Sequence, residues 1–211
     1  MNEKKKDPSG KADLMPDGPS DRELMTSVLG GDMKAFESLV DRYKNKLFNL
    51  IFRMLGNREE SEDILQETFL RVYRERESYD PTYEFSTWIY TIALNLTKNE
   101  LRRRKRFSFL GIDLFANKRE FAVEMSGNPT SISLFLEKAI DVLPRKYKSA
   151  FLMRDINQLS YERISEVLGI PLGTVKSRVN RARGILRKKL KPKMEEYYEL
   201  SKSQAIPLEL S

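Results

Sequence analysis

The chain has 211 residues, with 38 lysines and arginines against 31 acidic residues, a net charge of +7, and neither cysteine nor histidine. That composition removes disulfides, thiolate and imidazole metal sites, and the commonest general base. There is also no phosphate-binding glycine loop and no G-x-S-x-G turn, so the reading is a polyanion-binding protein, not an enzyme, with no cofactor and no metal.

Hydrophobic residues form 40% of the chain, enough to build cores. No apolar run approaches the ~20 residues of a membrane span. The N-terminus has charge but no apolar segment of a secretory signal, so the expectation is a cytoplasmic protein without stable membrane insertion.

Residues 1–20 mix Lys, Asp, Pro, Gly and Ser without periodicity and read as a disordered tail. Asp21 is a candidate N-cap for a short helix with Leu24, Met25, Val28 and Leu29 on one face. "GGD" at 30–32 breaks it. A longer helix follows, with Phe36, Leu39, Val40, Tyr43, Leu47, Leu50, Ile51, Met54 and Leu55 at helical spacing, ended by Gly56 and Asn57. Ser61 then caps a helix whose inward face is Ile64, Leu65, Phe69 and Val72. "ESYDPTYEF" at 77–85 is a loop. Ser86 or Thr87 opens the next helix, with an apolar stripe of Phe85, Trp88, Ile89, Ile92, Ala93 and Leu96, running into "RRRKR" at 102–106.

The helical period lapses over residues 107–130, which read as a linker. A second unit spans 131–190. Leu136, Ala139, Ile140 and Leu143 form one stripe, and Pro144 opens a helix through Tyr147, Ala150, Phe151 and Met153. Helices over 161–168 and 174–190 follow, and the polar tail 191–211 reads as frayed. The expected fold is all-α: two small helical domains, 21–106 and 131–190, joined by a flexible linker.

The last two helices carry the clearest signal. Ser160 caps the first, whose inner face is Ile164, Val167 and Leu168. Gly169 takes the left-handed end position, Pro171 and Gly173 make the turn, and Thr174 caps the second. This is helix-turn-helix spacing. In the second helix Val175, Val179, Ala182 and Leu186 recur on one face. Ser177, Asn180, Arg181, Gly184 and Lys188 lie opposite, flanked by Lys176, Arg178 and Arg183, and no acidic residue occurs from Val167 to Met194. Ser, Asn and Arg can bond base edges, and the flanking cations suit phosphates, so the frame reads as DNA-binding.

"EDILQETFLRVYR" (62–74), "FSTWIYTIALNLTKNELRRRKR" (85–106) and "LSYERISEVLGIPLGTVKSRVNRAR" (159–183) occur in that order. Together they resemble the sigma-70 family of RNA polymerase sigma factors, in its small extracytoplasmic-function (ECF) group. The resemblance covers residues 22–106 and 134–190. It implies that helix 61–76 docks on the clamp helices of the polymerase beta-prime subunit through Glu62, Asp63, Gln66 and Glu67. It implies that helix 86–104 meets the minus-ten promoter element through Thr91, Asn95, Lys98 and Arg102.

The loop at 77–87 resembles the segment that captures an extruded base, with Tyr79, Tyr83, Phe85, Ser86 and Thr87 as candidates, and Trp88 in the core. The helix-turn-helix implies a minus-thirty-five reader formed by Thr174, Lys176, Ser177, Arg178, Asn180, Arg181 and Arg183. The implied partners are core RNA polymerase (beta-prime clamp helices and the beta subunit), promoter DNA and an anti-sigma factor. Two alternatives are a stand-alone helix-turn-helix regulator, which would show alternating strands and helices in a receiver domain, and a basic helical RNA- or ribosome-binding module.

Overall fold

The computed structural model describes residues 18–109 and 131–203, and every element there is helical. Helix α1, Asp21–Leu29, is capped by Ser20 and not by Asp21. The Ser20 hydroxyl accepts from the Glu23 amide, and the Glu23 carboxylate accepts from the Ser20 amide at 2.7 Å. The Ser-x-x-Glu box at 20–23 competes better for the cap because it satisfies two backbone donors reciprocally. Asp21 instead reaches α2, Met33–Leu55, where it pairs with Arg42 and accepts from the Tyr43 hydroxyl. Gly56 closes α2 at a φ of 68°.

Helix α3, Arg58–Arg74, starts three residues before the expected Ser61 because Asn57 caps it, accepting from the Glu60 amide at 2.9 Å. Ser61 lies inside the helix, fully buried, with its hydroxyl donated to the Asn57 carbonyl. Thr68 and Thr97 likewise donate to carbonyls four residues back, which lets polar side chains sit in the core at no cost in unmade hydrogen bonds. A 3-10 turn at Arg76–Ser78 leads to the loop before α4, Phe85–Phe109. This helix begins at Phe85, ahead of Ser86 and Thr87, because the Glu84 carbonyl already accepts from the Thr87 amide at 2.9 Å.

The second unit holds α5, Ser131–Asp141, and α6, Arg145–Phe151, which widens into a π-helical turn at Leu152–Ile156. Then come α7, Tyr161–Leu168, and α8, Leu172–Ser203. Ser160 caps α7 and Gly169 closes it at a φ of 62°, both as expected. Thr174 is not the α8 cap. The Pro171 carbonyl accepts from the Thr174 and Val175 amides at 2.8 and 3.1 Å, so the helix is under way before Thr174. Nor does the chain fray at Lys191: α8 continues through Pro192 to Ser203. Arg, Lys and Leu before it and Lys, Met and Glu after it favour helix strongly enough to carry it past one proline.

Each unit has its predicted core except for Leu29, which at the end of α1 is 48% exposed, and a single apolar cluster runs through both. Polar links also cross the seam. Arg53 on α2 forms a near-buried pair with Glu137 on α5, with bonds of 2.8, 3.1 and 3.2 Å. The π-turn presents Asn157, whose amide donates to the Tyr90 hydroxyl at 2.7 Å and to the Lys46 carbonyl at 2.9 Å. Thr87 donates to Glu166 on α7 at 3.1 Å, and Arg163 pairs with Glu84 at 3.3 Å. The two units are therefore docked on one another in this structure.

Candidate polymerase and nucleic-acid interfaces

The outer face of α3 carries the proposed docking residues. Glu62, Asp63 and Gln66 are exposed and Glu67 is half-buried. Two of the acids are braced along the helix, Glu62 by Arg58 and Glu67 by Arg71, each at 2.9 Å. Leu70, 40% exposed, lies one turn on from Gln66 and Glu67 and was not anticipated. Phe69 is buried and Leu65 half-buried, as the periodicity requires.

On α4, Thr91, Asn95, Lys98 and Arg102 follow one another at four, three and four residues and so share a stripe. Asn95 and Arg102 are exposed, while Thr91 and Lys98 are half-buried. The Thr91 hydroxyl is donated to the Thr87 carbonyl at 2.7 Å, leaving it only acceptor capacity. Burial, then Arg102, then Arg178 of α8 lower the Lys98 pKa from its ordinary value.

The loop ahead of α4 frames a cavity of about 770 Å³ lined in part by Tyr43, Tyr79, Tyr83, Phe85 and Ser86. Tyr79 and Phe85 are core residues, edge-on to one another at 6.0 Å, with the Tyr79 hydroxyl donated to the Tyr83 carbonyl at 2.8 Å. Tyr83 is the aromatic that projects, 58% exposed. The buried Ser86 hydroxyl has no hydrogen-bond partner among the described residues. Trp88 is half-buried against Tyr79 and Phe85.

On α8, Val175, Val179 and Ala182 are fully buried and Leu186 nearly so. Lys176, Ser177, Asn180, Arg181 and Arg183 are exposed, and Thr174 and Arg178 are half-buried. Two of these arginines have internal partners. Arg181 donates to the Tyr147 hydroxyl at 3.2 Å, which lowers that phenol's pKa. Arg183 pairs with Asp155 at 2.5 Å, which raises the guanidinium's pKa. Both contacts point the two side chains before any ligand arrives.

These three faces occur on a chain that matches the Sigma-70 region 2 family over residues 39–107 and the Sigma-70 region 4 family over residues 136–186. It is 38% identical over 180 residues to the ECF RNA polymerase sigma factor SigW of Bacillus subtilis, covering 81% of this chain and 96% of that protein. It is 36% identical over 187 residues to the ECF RNA polymerase sigma-E factor of Haemophilus influenzae, covering 83% and 97%. The chain belongs to the ECF group of RNA polymerase sigma factors. Two solved structures share its fold. One is CnrH with the cytosolic domain of CnrY, at a TM-score of 0.62 and 21% identity over 82% of this chain and 99% of that one. The other is RpoE with the anti-sigma factor NepR from Bartonella quintana, at 0.63 and 23% over 75% and 98%.

The sigma factor's α4 and α8 candidate faces are not independent in this structure. Lys98 and Arg102 of α4 share a cleft with Arg178 of α8. Glu166, Arg163 and Asn157 reach the first unit from the second, and none of them was singled out in the sequence. All three are ordinary polar residues on short helices or turns, without a pattern that marks a partner. The receiver-type alternative has no support, since residues 18–109 contain helices and no strand.

Proposed function

We propose that this sigma factor recruits core RNA polymerase through α3, opens promoter DNA with α4 and its preceding loop, and reads an upstream element with α8. Glu62, Asp63, Gln66 and Glu67 would dock on the beta-prime clamp helices, with Leu70 as an apolar anchor, and the 131–190 domain would engage the beta subunit. Thr91, Asn95, Lys98 and Arg102 would hold the melted minus-ten strand. An extruded base would enter the cavity under Tyr83, stack there, and satisfy the buried Ser86 hydroxyl. Ser177, Asn180 and Arg181 would face bases in the minus-thirty-five major groove. Thr174, Lys176, Arg178 and Arg183 would hold phosphates.

The observation that carries this reading is the Ser86 hydroxyl, unpartnered among the described residues, beside a cavity at the start of α4 that Tyr43, Tyr79, Tyr83 and Phe85 line together with charged side chains. A buried hydroxyl without a partner is unfavourable by about 1–3 kcal/mol, and a base edge would supply the missing bond. The seam bears on the same site. Thr87–Glu166 and Glu84–Arg163 occupy the end of α4 that DNA would approach, so promoter engagement requires α7 to leave it. We infer that an anti-sigma factor holds the chain inactive, that the chain works in the cytoplasm with the polymerase, and that it acts by binding alone. Among the described residues no helix is long and apolar enough to cross a membrane.

The test is binding of core enzyme and of a minus-ten single strand by wild type and Ser86→Ala. A stoichiometric core complex in both, with weaker capture of the single strand by the variant, is the expected result. Equal capture by both would remove the base-pocket assignment, and absence of a core complex would remove the recruitment reading.

A further inference from the structure

The seam between the two units contains a cleft of about 280 Å³ lined by Met54, Lys98, Leu101, Arg102, Arg145, Lys146, Ser149, Leu168 and Arg178. Five of those residues are cations and none is acidic. They come from three elements: Lys98 and Arg102 from α4, Arg145 and Lys146 from the start of α6, and Arg178 from α8. The rest of the seam is arranged differently. Arg53 meets Glu137 and Arg163 meets Glu84, so the two guanidiniums that cross elsewhere each meet a carboxylate. Among the described residues, none of the five cleft cations pairs with a carboxylate. Arg102 bonds the neutral Asn99 side chain at 3.2 Å, and Lys146 lies 5.0 Å from the Tyr147 ring centre. Burial and the two neighbouring guanidiniums disfavour the charge on Lys98.

Docking the units thus gathers like charge over the apolar floor of Met54, Leu101 and Leu168, with Lys98 and Arg178 half-buried and Arg102, Arg145 and Lys146 exposed at its mouth. Such a cluster is unfavourable unless an anion enters it. We propose that the cleft is a binding site for a compact multivalent phosphate, either free inorganic pyrophosphate or the phosphate chain of a nucleotide, and that the bound anion holds the two units together. The volume admits a few phosphate groups and excludes a DNA duplex. Arginine forks and lysine ammoniums from separate elements can each take a different oxygen. Because Lys98, Arg102 and Arg178 also belong to the proposed promoter faces, an anion in the cleft would compete with promoter phosphates for the same side chains.

The experiment uses the full chain, which has no cysteine of its own, with dyes on Ser38→Cys and Lys189→Cys, both exposed and one in each unit. Pyrophosphate and adenosine diphosphate are titrated at constant ionic strength, followed by calorimetry and by energy transfer between the dyes. The expected result is one site per chain and a rise in transfer that potassium chloride does not reproduce. The Arg145→Ala/Lys146→Ala double variant, which leaves the promoter faces untouched, should bind at least tenfold more weakly. A Lys105→Ala/Arg106→Ala variant, outside the cleft, should bind as wild type does. Equal affinity for the two anions identifies the phosphates as what is read, and tighter nucleotide binding identifies the nucleotide as the source.

Several anions per chain, or equal weakening by the two double variants, would overturn the proposal in favour of a diffuse basic surface. High transfer without added anion, unchanged by pyrophosphate and with no heat of binding, would remove the anion site while leaving the docked arrangement intact. Low transfer throughout would instead remove the docked arrangement on which the site rests.

Discussion

The Arg53–Glu137 pair offers the sharpest test of how the two units are joined. Arg53 belongs to α2 and Glu137 to α5, so neither contributes its partner to its own unit's core. Their side chains are 14% and 11% exposed, and the guanidinium gives the carboxylate bonds of 2.8, 3.1 and 3.2 Å. Truncating one member leaves the other charge largely desolvated and unpaired. For buried pairs that costs about 3–5 kcal/mol, and residual exposure puts this one near the lower figure, about 3 kcal/mol. At 1.4 kcal/mol per factor of ten, Arg53→Ala or Glu137→Ala should shift the docked-to-undocked ratio by roughly 100-fold.

The double variant should open the seam by less than the sum of the singles, because no orphan charge remains. Energy transfer between dyes at positions 38 and 189 reports the opening, and circular dichroism reports whether each unit stays helical. Unchanged transfer in both single variants, or strict additivity in the double, would show that the pair does not hold the seam.

Charge reversal at Asp63 and Glu67 should weaken core-polymerase binding by about 2–5 kcal/mol if the contacts are buried in the complex, with helicity unchanged, as read by competition for core enzyme. Arg181→Ala should cost roughly 1–3 kcal/mol and relax base preference upstream, whereas Arg183→Ala should weaken all sequences alike and flatten the salt dependence, as read by promoter selection at two salt concentrations. Burial raises the Tyr90 phenol to about 12 from an ordinary 10.0. Folding stability from this group is therefore full below pH 10 and lost as pH rises through about 12, whereas the bond from Asn157 across the seam acts the other way and lowers this pKa. An ultraviolet phenolate titration should thus track loss of helicity by circular dichroism and not a prior loss of energy transfer.

Periodicity made the two cores legible, because burial on a helix repeats every three or four residues and the stripes at 136–143 and 175–186 do so plainly. Gly169 was readable for a separate reason, since a left-handed helix end has one favoured residue. Caps were read less well. Asp21, Ser61 and Thr174 are good capping types, but Ser20 with Glu23, Asn57, and the Pro171 carbonyl compete locally and win. Motif order carried the family assignment.

The seam left no trace in the sequence. It is built from single contacts such as Asn157 to Tyr90 and Thr87 to Glu166, 67 and 79 residues apart, and long-range polar pairs have no period. The same holds for Arg183, whose partner Asp155 sits on a π-helical turn that no spacing rule would place. Ser86 was a candidate from its loop position, but its buried and unpartnered hydroxyl is visible only in three dimensions.

Transcription from a promoter library with core RNA polymerase, with and without this chain, separates a sigma factor from a plain DNA-binding protein. A sigma factor should give chain-dependent transcripts whose promoters share a minus-ten and a minus-thirty-five element, with Arg181→Ala relaxing the upstream one alone. Transcription no greater than with core enzyme alone on every promoter, from a chain that still binds duplex DNA, would contradict that role.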